Sequence, residues 1–305
     1  TSQPVQLVRP LDFLAVTDHA EMLALATMLQ RGDPLLLADP WGKSAYERFQ
    51  SGIEGRQALF AEMIRLGTVE RREPFRNPEA ARTVWKEILA TADAYNQPGR
   101  FTTMTGFEWS STPKGDNLHR IVLFADGADK TSQILPFSMF DSETPEDLWK
   151  YLASYEARTG GRAISPAHNG NLSNGLMFAD RKFDGSRMTA DYATRRIRWE
   201  PIHEVTQMKG DEETHPLLSP DDEFADFERW DVGNISGSAP KESGMLQYEY
   251  ARSALRLGLR LGRELGVNPY MLGMNASTDT HTGLATSREE NYFGKMPHTE
   301  PSANR

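Results

Sequence analysis

The sequence predicts an α/β fold with a mainly parallel sheet. Two patterns predict it: short apolar runs alternate with amphipathic helical stretches, and several of those runs stop at a histidine or a carboxylate. In parallel α/β folds the C-terminal ends of strands are where sites are built, so the second pattern also marks where function would sit.

Taken in order, Leu11–Thr17 is a bounded apolar run that reads as a buried parallel strand, and it stops at Asp18-His19. Ser44–Leu66 places Phe49, Ile53, Leu59, Phe60, Met63 and Ile64 near helical spacing. Asn77-Pro78 reads as a cap and first turn, opening a helix to about Tyr95 that Pro98-Gly99 closes. Phe101–Phe107 is a strand ending at Glu108. A polar loop with Lys114, Gly115, Asp116 and Asn117 follows, and His119 then introduces the strand Ile121–Phe124. Thr144-Pro145 with Asp147 resembles a capping box, predicting a helix to Gly160-Gly161. Ala163–Ser165 is a short strand leading to His168, Ile202–Thr206 is another, and Met271–Ser277 leads to Asp279 and His281. Between the last two lies a basic amphipathic helix, Leu246–Leu265, with Gly266 placed to end it. The charged, turn-rich stretches 178–200 and 209–240 fit the alternation poorly and read as excursions within one domain spanning 1–295, with a poorly ordered or shortened tail at 296–305.

Composition narrows the function. With 34 Lys+Arg against 43 Asp+Glu the net charge is −9, which argues against a nucleic-acid or anionic-membrane binder. No apolar run approaches the roughly 18 residues of a membrane span. Cysteine is absent, which excludes disulfides, thiolate metal sites and a cysteine nucleophile. The absence of cysteine fits periplasm and cytoplasm alike; a periplasmic or secreted place would require a signal peptide upstream of Thr1. Oligomeric state is left open.

Only seven histidines are present, and four of them keep company with strand ends: Asp18-His19, Glu108, His119, His168, then Asp279 and His281. Imidazole and carboxylate without thiolate suit zinc, manganese or iron. A carboxylate such as Glu108 can bridge two ions, and paired ions activate water and clamp a phosphoryl group. Each residue also has a plain reading. A lone buried histidine is more often hydrogen-bonded than metallated, Asp279 can cap a turn, and Glu108 can pair with a cation. Their recurrence at successive strand ends favours a site. Of the rest, His203 shares a strand with Glu204, and one of the two must face the helices. His215 is either a substrate contact or a turn residue, and His298 has no assignment.

These residues fall in motifs with a known likeness. AVTDH at Ala15–His19, TGFEW at Thr105–Trp109, AHNG at Ala167–Gly170 and STDTH at Ser277–His281 resemble the later motifs of the PHP (polymerase and histidinol phosphatase) superfamily. FEWSSTPKGDNLHR, HNGNLSNG, EVTQMKGDEETHPLLSPDDEFADFE and STDTHTGLATSREENYFGK are similar to the branch catalogued as domain of unknown function 3604, and the likeness spans nearly the whole chain. The resemblance implies a distorted (β/α)7 TIM-like barrel holding two or three divalent ions and hydrolysing phosphoesters. By motif, it implies His19 as a ligand with Asp18 as polar support, and Glu108 bridging two ions. His119 and His168 would complete one sphere, Asp279 would bind across Glu108, and His281 would join His19. PHP proteins open on a strand ending in His-x-His. None occurs here, so the expectation is a first strand upstream of Thr1, the alternative being a chain that holds fewer metals or holds them weakly.

The expected activity is a metal-dependent hydrolase acting on a phosphorylated small molecule, with Glu108, His168 and Asp279 at its centre. Arg120 and Lys209 are candidate cations for substrate charge, with surface solvation as their alternative. Asn169, Asn171 and Asn174 are candidate donors or turn formers. Hydrolysis of a non-phosphorus ester, lactone or amide, and a silent binding module, are the competing readings.

Overall fold

The computed structural model describes residues 7–284 and Arg288. The chain opens with strand β1 (Phe13–Ala15) and helices α1 (Leu25–Arg31), α2 (Pro34–Ala38), α3 (Pro40–Gln50), α4 (Ile53–Thr68) and α5 (Pro78–Tyr95). Strands β2 (Thr102–Trp109) and β3 (Arg120–Phe124) follow, then α6 (Ala128–Thr131), α7 (Pro145–Thr159) and β4 (Ala163–Ile164). The last part holds α8 (Ala190–Trp199), β5 (Ile202–Glu204), the small strands β6 (Thr206–Gln207) and β7 (Gly210–Asp211), α9 (Ala251–Leu265) and β8 (Gly273–Asn275). The 296–305 tail and His298 lie outside the described residues.

Local chemistry starts and stops these elements where the sequence reads it. Asn77 Oδ1 accepts from the N–H groups of Glu79 and Ala80 at 3.1 and 3.0 Å, with Pro78 in the first turn of α5. Thr144 Oγ1 accepts from Asp147 N–H at 3.3 Å to open α7. Each such cap contributes about 1 kcal/mol. The stretch read as one helix over 44–66 is two helices. Gly52, at φ 107, sits between α3 and α4 in a conformation that side-chain-bearing residues resist. The predicted helix from Leu246 begins at Ala251.

The sheet departs from the expected mainly parallel order. β1 pairs with β2 and β5 with β8 in parallel, but β2–β3, β3–β4 and β6–β7 are antiparallel. The short excursion from Trp109 to Arg120 is the reason at β2–β3, because a parallel return needs a crossover of a dozen or more residues. Single bridges, Arg120–Ala167 and Ala167–His203, link the four-stranded sheet to the β5–β8 pair. Among the described residues the sheets form an arc and do not close into a barrel. β1 is also less buried than a parallel core strand, with Phe13 63% exposed.

One face of the arc is apolar. Phe107 and Trp109 of β2 and Val122 and Phe124 of β3 pack with Trp85, Trp149, Tyr192 and Leu257 from α5, α7, α8 and α9. Each fully buried side chain of this kind contributes roughly 1.5–3 kcal/mol. The 178–200 excursion therefore holds a core helix. Its charges concealed it, because Arg196 is buried against Glu200 and the Tyr270 ring. α1, α3, α4 and α5 form a second apolar cluster. No described helix is long and apolar enough to cross a membrane.

Candidate metal centre

Because side chains alternate across a strand, whatever neighbours the core-facing residues points to the other face. Glu108 lies between Phe107 and Trp109, and His168 follows the buried Ala167. His119 precedes Arg120 on β3, whose core-facing partners are Val122 and Phe124. In β5, His203 packs edge-on against core residue Phe178 at 4.8 Å between ring centroids, which sends Glu204 to the opposite face. The polar residues so displaced converge.

Glu108 is the hub. Its Oε1 is 2.7 Å from His119 Nδ1 and 3.8 Å from His168 Nε2, while its Oε2 is 3.6 Å from His19 Nδ1. His168 Nε2 is in turn 3.6 Å from Asp279 Oδ1. Glu108, His168 and Asp279 each offer a ligand atom, and those atoms all lie within 4.8 Å of one another. His281 Nδ1 is 3.0 Å from the Asp279 carbonyl oxygen, and its ring centroid is 5.6 Å from that of His19. The ends of β1, β2, β3, β4, β5 and β8 thus share one locus. Glu108 N–H donates to the Asp18 carbonyl at 2.9 Å, so Asp18 supports the site through its main chain.

Charge is concentrated here. Burial would raise the Glu108 pKa, but His19, His168 and His119 outweigh it and hold the carboxylate far below its ordinary range. The two buried imidazoles diverge. Burial pushes His119 down to about 4, against the pull of Glu108. His168 is also buried, yet Glu204, Glu108 and Asp279 surround it and raise it well above an ordinary histidine. The Lys209 ammonium is ion-paired with Asp279 Oδ2.

The carboxylates of Glu108 and Asp279, gathered with the His168 imidazole, form a donor set suited to a hard or borderline divalent ion. The residues fit such an ion. Two carboxylates and one imidazole from three separate chain segments would hold it, with His19, His119 and His281 around them.

The other predicted contacts separate into those near the cluster and those away from it. Asn169, at φ 55, places Nδ2 3.0 Å from His168 Nε2 and accepts from Gln207 Nε2 at 2.6 Å. Lys209 is in the cluster. Asn171 Nδ2 donates instead to the carbonyls of Lys209 and Trp230, bracing the loop that carries Lys209. Asn174 Nδ2 donates to the Pro240 carbonyl at 3.4 Å. Arg120 turns to the helix face, where its guanidinium pairs with Glu200 at 3.1 and 3.2 Å and donates to the Leu118 carbonyl. His215 is tied to Asp231 Oδ2 at 2.8 Å through Nε2 and accepts from Leu217 N–H through Nδ1, so it is not brought to the cluster.

A family model described as protein of unknown function (DUF3604) matches residues 1–305. The chain belongs to the DUF3604 family. No curated protein and no solved structure matches this DUF3604 chain.

Sequence reasoning missed several members of the site. Glu204 Oε2 lies 2.5 Å from His168 Nδ1, and Ser110 Oγ and Thr112 Oγ1 lie 2.5 and 3.1 Å from His19 Nδ1 and His119 Nε2. For Glu204 a signal existed. Once His203 goes to the core, the alternation of a strand leaves its neighbour facing the cluster.

Proposed function

We propose that this DUF3604 protein is a metal-dependent hydrolase of phosphoesters on a small-molecule substrate. The observation that carries the reading is the meeting of Glu108, His168 and Asp279, three ligand-bearing groups from separate strand ends, within 4.8 Å. The resemblance of AVTDH, TGFEW, AHNG and STDTH to PHP superfamily motifs supports the same chemistry. The distorted barrel of that superfamily belongs to the proposal, supported by the arc of strands whose polar ends converge on Glu108.

Zinc, manganese or iron suits the donor set, and for the two or three ions that the resemblance implies, His19, His119 and His281 would be the further donors. A divalent ion held there would supply Lewis acidity, lowering the pKa of water toward neutrality and offsetting phosphoryl charge. The protein's own groups do the rest. Lys209, already beside Asp279, offers an ammonium for which a phosphoryl oxygen competes with that carboxylate. Asn169 offers an amide to substrate oxygens next to His168. His19 and His281 stand at the partly exposed rim of the cluster.

The test is turnover of phosphomonoester and phosphodiester panels by protein loaded with manganese or zinc. The expected result is hydrolysis abolished by chelation and by a Glu108→Ala, His168→Ala double variant. Turnover equal to that of the double variant across the panels would overturn the phosphoesterase reading. Activity confined to carboxylic esters or lactones would move the reaction to a different bond.

A further inference from the structure

His168 has two ring nitrogens, and the fold uses them in opposite directions. Nε2 faces Glu108 and Asp279, while Nδ1 lies 2.5 Å from Glu204 Oε2. Both partners are almost wholly buried, at 2% exposure for His168 and 3% for Glu204. The second carboxylate oxygen of Glu204 accepts from the Ser277 hydroxyl. Ser277 lies two residues before Asp279, on the segment that leaves β8. β5 and β8 pair in register at Glu204 and Asn275, and Val205 N–H donates to the Asn275 carbonyl at 2.8 Å. Glu204 therefore touches one of the three cluster groups directly and grips the segment that carries another.

We infer that Glu204 is a positioning residue for the metal centre, holding His168 and the Asp279 segment in ligating arrangement at once. The inference rests on the reading of the cluster as a metal site. A neutral imidazole carries one N–H, and the ligand nitrogen must be the one without it. A carboxylate on Nδ1 draws the proton to that side, leaves the Nε2 lone pair toward Glu108 and Asp279, and fixes the ring plane. Loss of such an outer partner commonly costs 10–100-fold in metal affinity. The Ser277 contact adds a second constraint. It adds to the Ser277 N–H bond to the Thr206 carbonyl at 3.4 Å, so the segment that carries Asp279 is tied to the β5 side through both main chain and side chain.

The experiment is zinc titration calorimetry on the full chain, with Glu204→Ala, Glu204→Gln and Ser277→Ala compared with the unsubstituted protein. Nitrogen-15 spectra of the histidine rings in the zinc-loaded state accompany it. Glu204→Ala is expected to weaken zinc binding about 10–100-fold. Glu204→Gln should recover part of that loss, because its amide oxygen still accepts from Nδ1–H, and Ser277→Ala should fall between it and the parent. The His168 ring should show the Nδ1–H tautomer in the parent and lose that preference in Glu204→Ala, a change that mere loosening of the fold does not produce. If Glu204→Ala fails to fold, the glutamine and Ser277 variants carry the comparison. Tight parental binding with unchanged affinity and tautomer in the Glu204 variants overturns the inference and leaves the metal site standing. Parental zinc binding no better than that of the Glu108→Ala, His168→Ala double variant overturns the metal site itself, and this role with it.

Discussion

Lys209 and Asp279, 70 positions apart in the chain, form an ion pair inside the candidate metal centre. The ammonium occupies an oxygen of one of the three groups that would hold an ion, so lysine and metal compete for the same carboxylate. Lys209→Met is expected to tighten divalent-ion binding by roughly 3–10-fold, since 1.4 kcal/mol is a factor of ten. The same variant should raise KM for an anionic substrate, because the ammonium beside Asp279 is gone. Calorimetry with manganese and steady-state kinetics measure the two effects; weaker metal binding would show that Lys209 supports the ion instead of competing with it.

Metal affinity should depend on pH through His168. Its carboxylate neighbours raise its pKa well above the ordinary value, so near neutrality it carries a proton that the ligating form must lose. Binding then tightens as pH rises toward the folded pKa, by up to about tenfold per unit for one released proton. The stability sign is the reverse. A raised histidine pKa stabilises the metal-free fold most fully below about 6.5, and that contribution fades as pH climbs through the folded value. Calorimetry in buffers of different ionisation enthalpy counts the proton; a count of zero would contradict this account.

Arg120 supplies a structural prediction. Its buried guanidinium shares Glu200 with Arg196 and with the Trp149 indole N–H. Arg120→Met leaves Glu200 partly uncompensated and should cost about 2–4 kcal/mol, at or just below the usual cost of breaking a buried pair because Arg196 remains. Urea unfolding measures the loss, while zinc affinity of the folded variant should be unchanged. A selective effect on KM without loss of stability would return Arg120 to the substrate.

His203 makes the fold sensitive to acid. Burial pushes its pKa down to about 3, against about 6.5 when unfolded. As pH falls below 6.5 the unfolded chain takes a proton that the folded chain refuses, so stability declines until pH nears 3. His203→Phe should therefore gain about 2.5 kcal/mol relative to the parent between pH 7 and pH 4.5. Unfolding free energies at the two pH values check it, and an unchanged difference would mean that His203 does not drive the acid response.

The caps and strand ends were legible because they are local. Asn77 and Thr144 reach N–H groups two or three residues away, and Glu108, His168 and Asp279 announce themselves by chemical type after apolar runs, as His119 does before one. The direction of the β2–β3 return was less legible, although the short excursion between Trp109 and Arg120 already disfavoured a parallel crossover. Helix α8 was hidden because Arg196 and Glu200 look solvated until their buried partners are known. Arg120 was misread for the same reason, though its place two residues before Val122 already set it on the core-facing side.

By itself the sequence determined the chemical kit: imidazole and carboxylate without thiolate, placed next to strand ends, in a chain of net charge −9. The tertiary structure alone decided which members of the kit meet. His168 touches Glu204 across 36 positions and pairs with Glu108 across 60 and Asp279 across 111, contacts that no local spacing encodes. Alternation tells that neighbours in a strand face opposite ways, but only packing against the helices says which way is in. That choice sent His203 into the core and Glu204 to the cluster, and it took Arg120 out of the site.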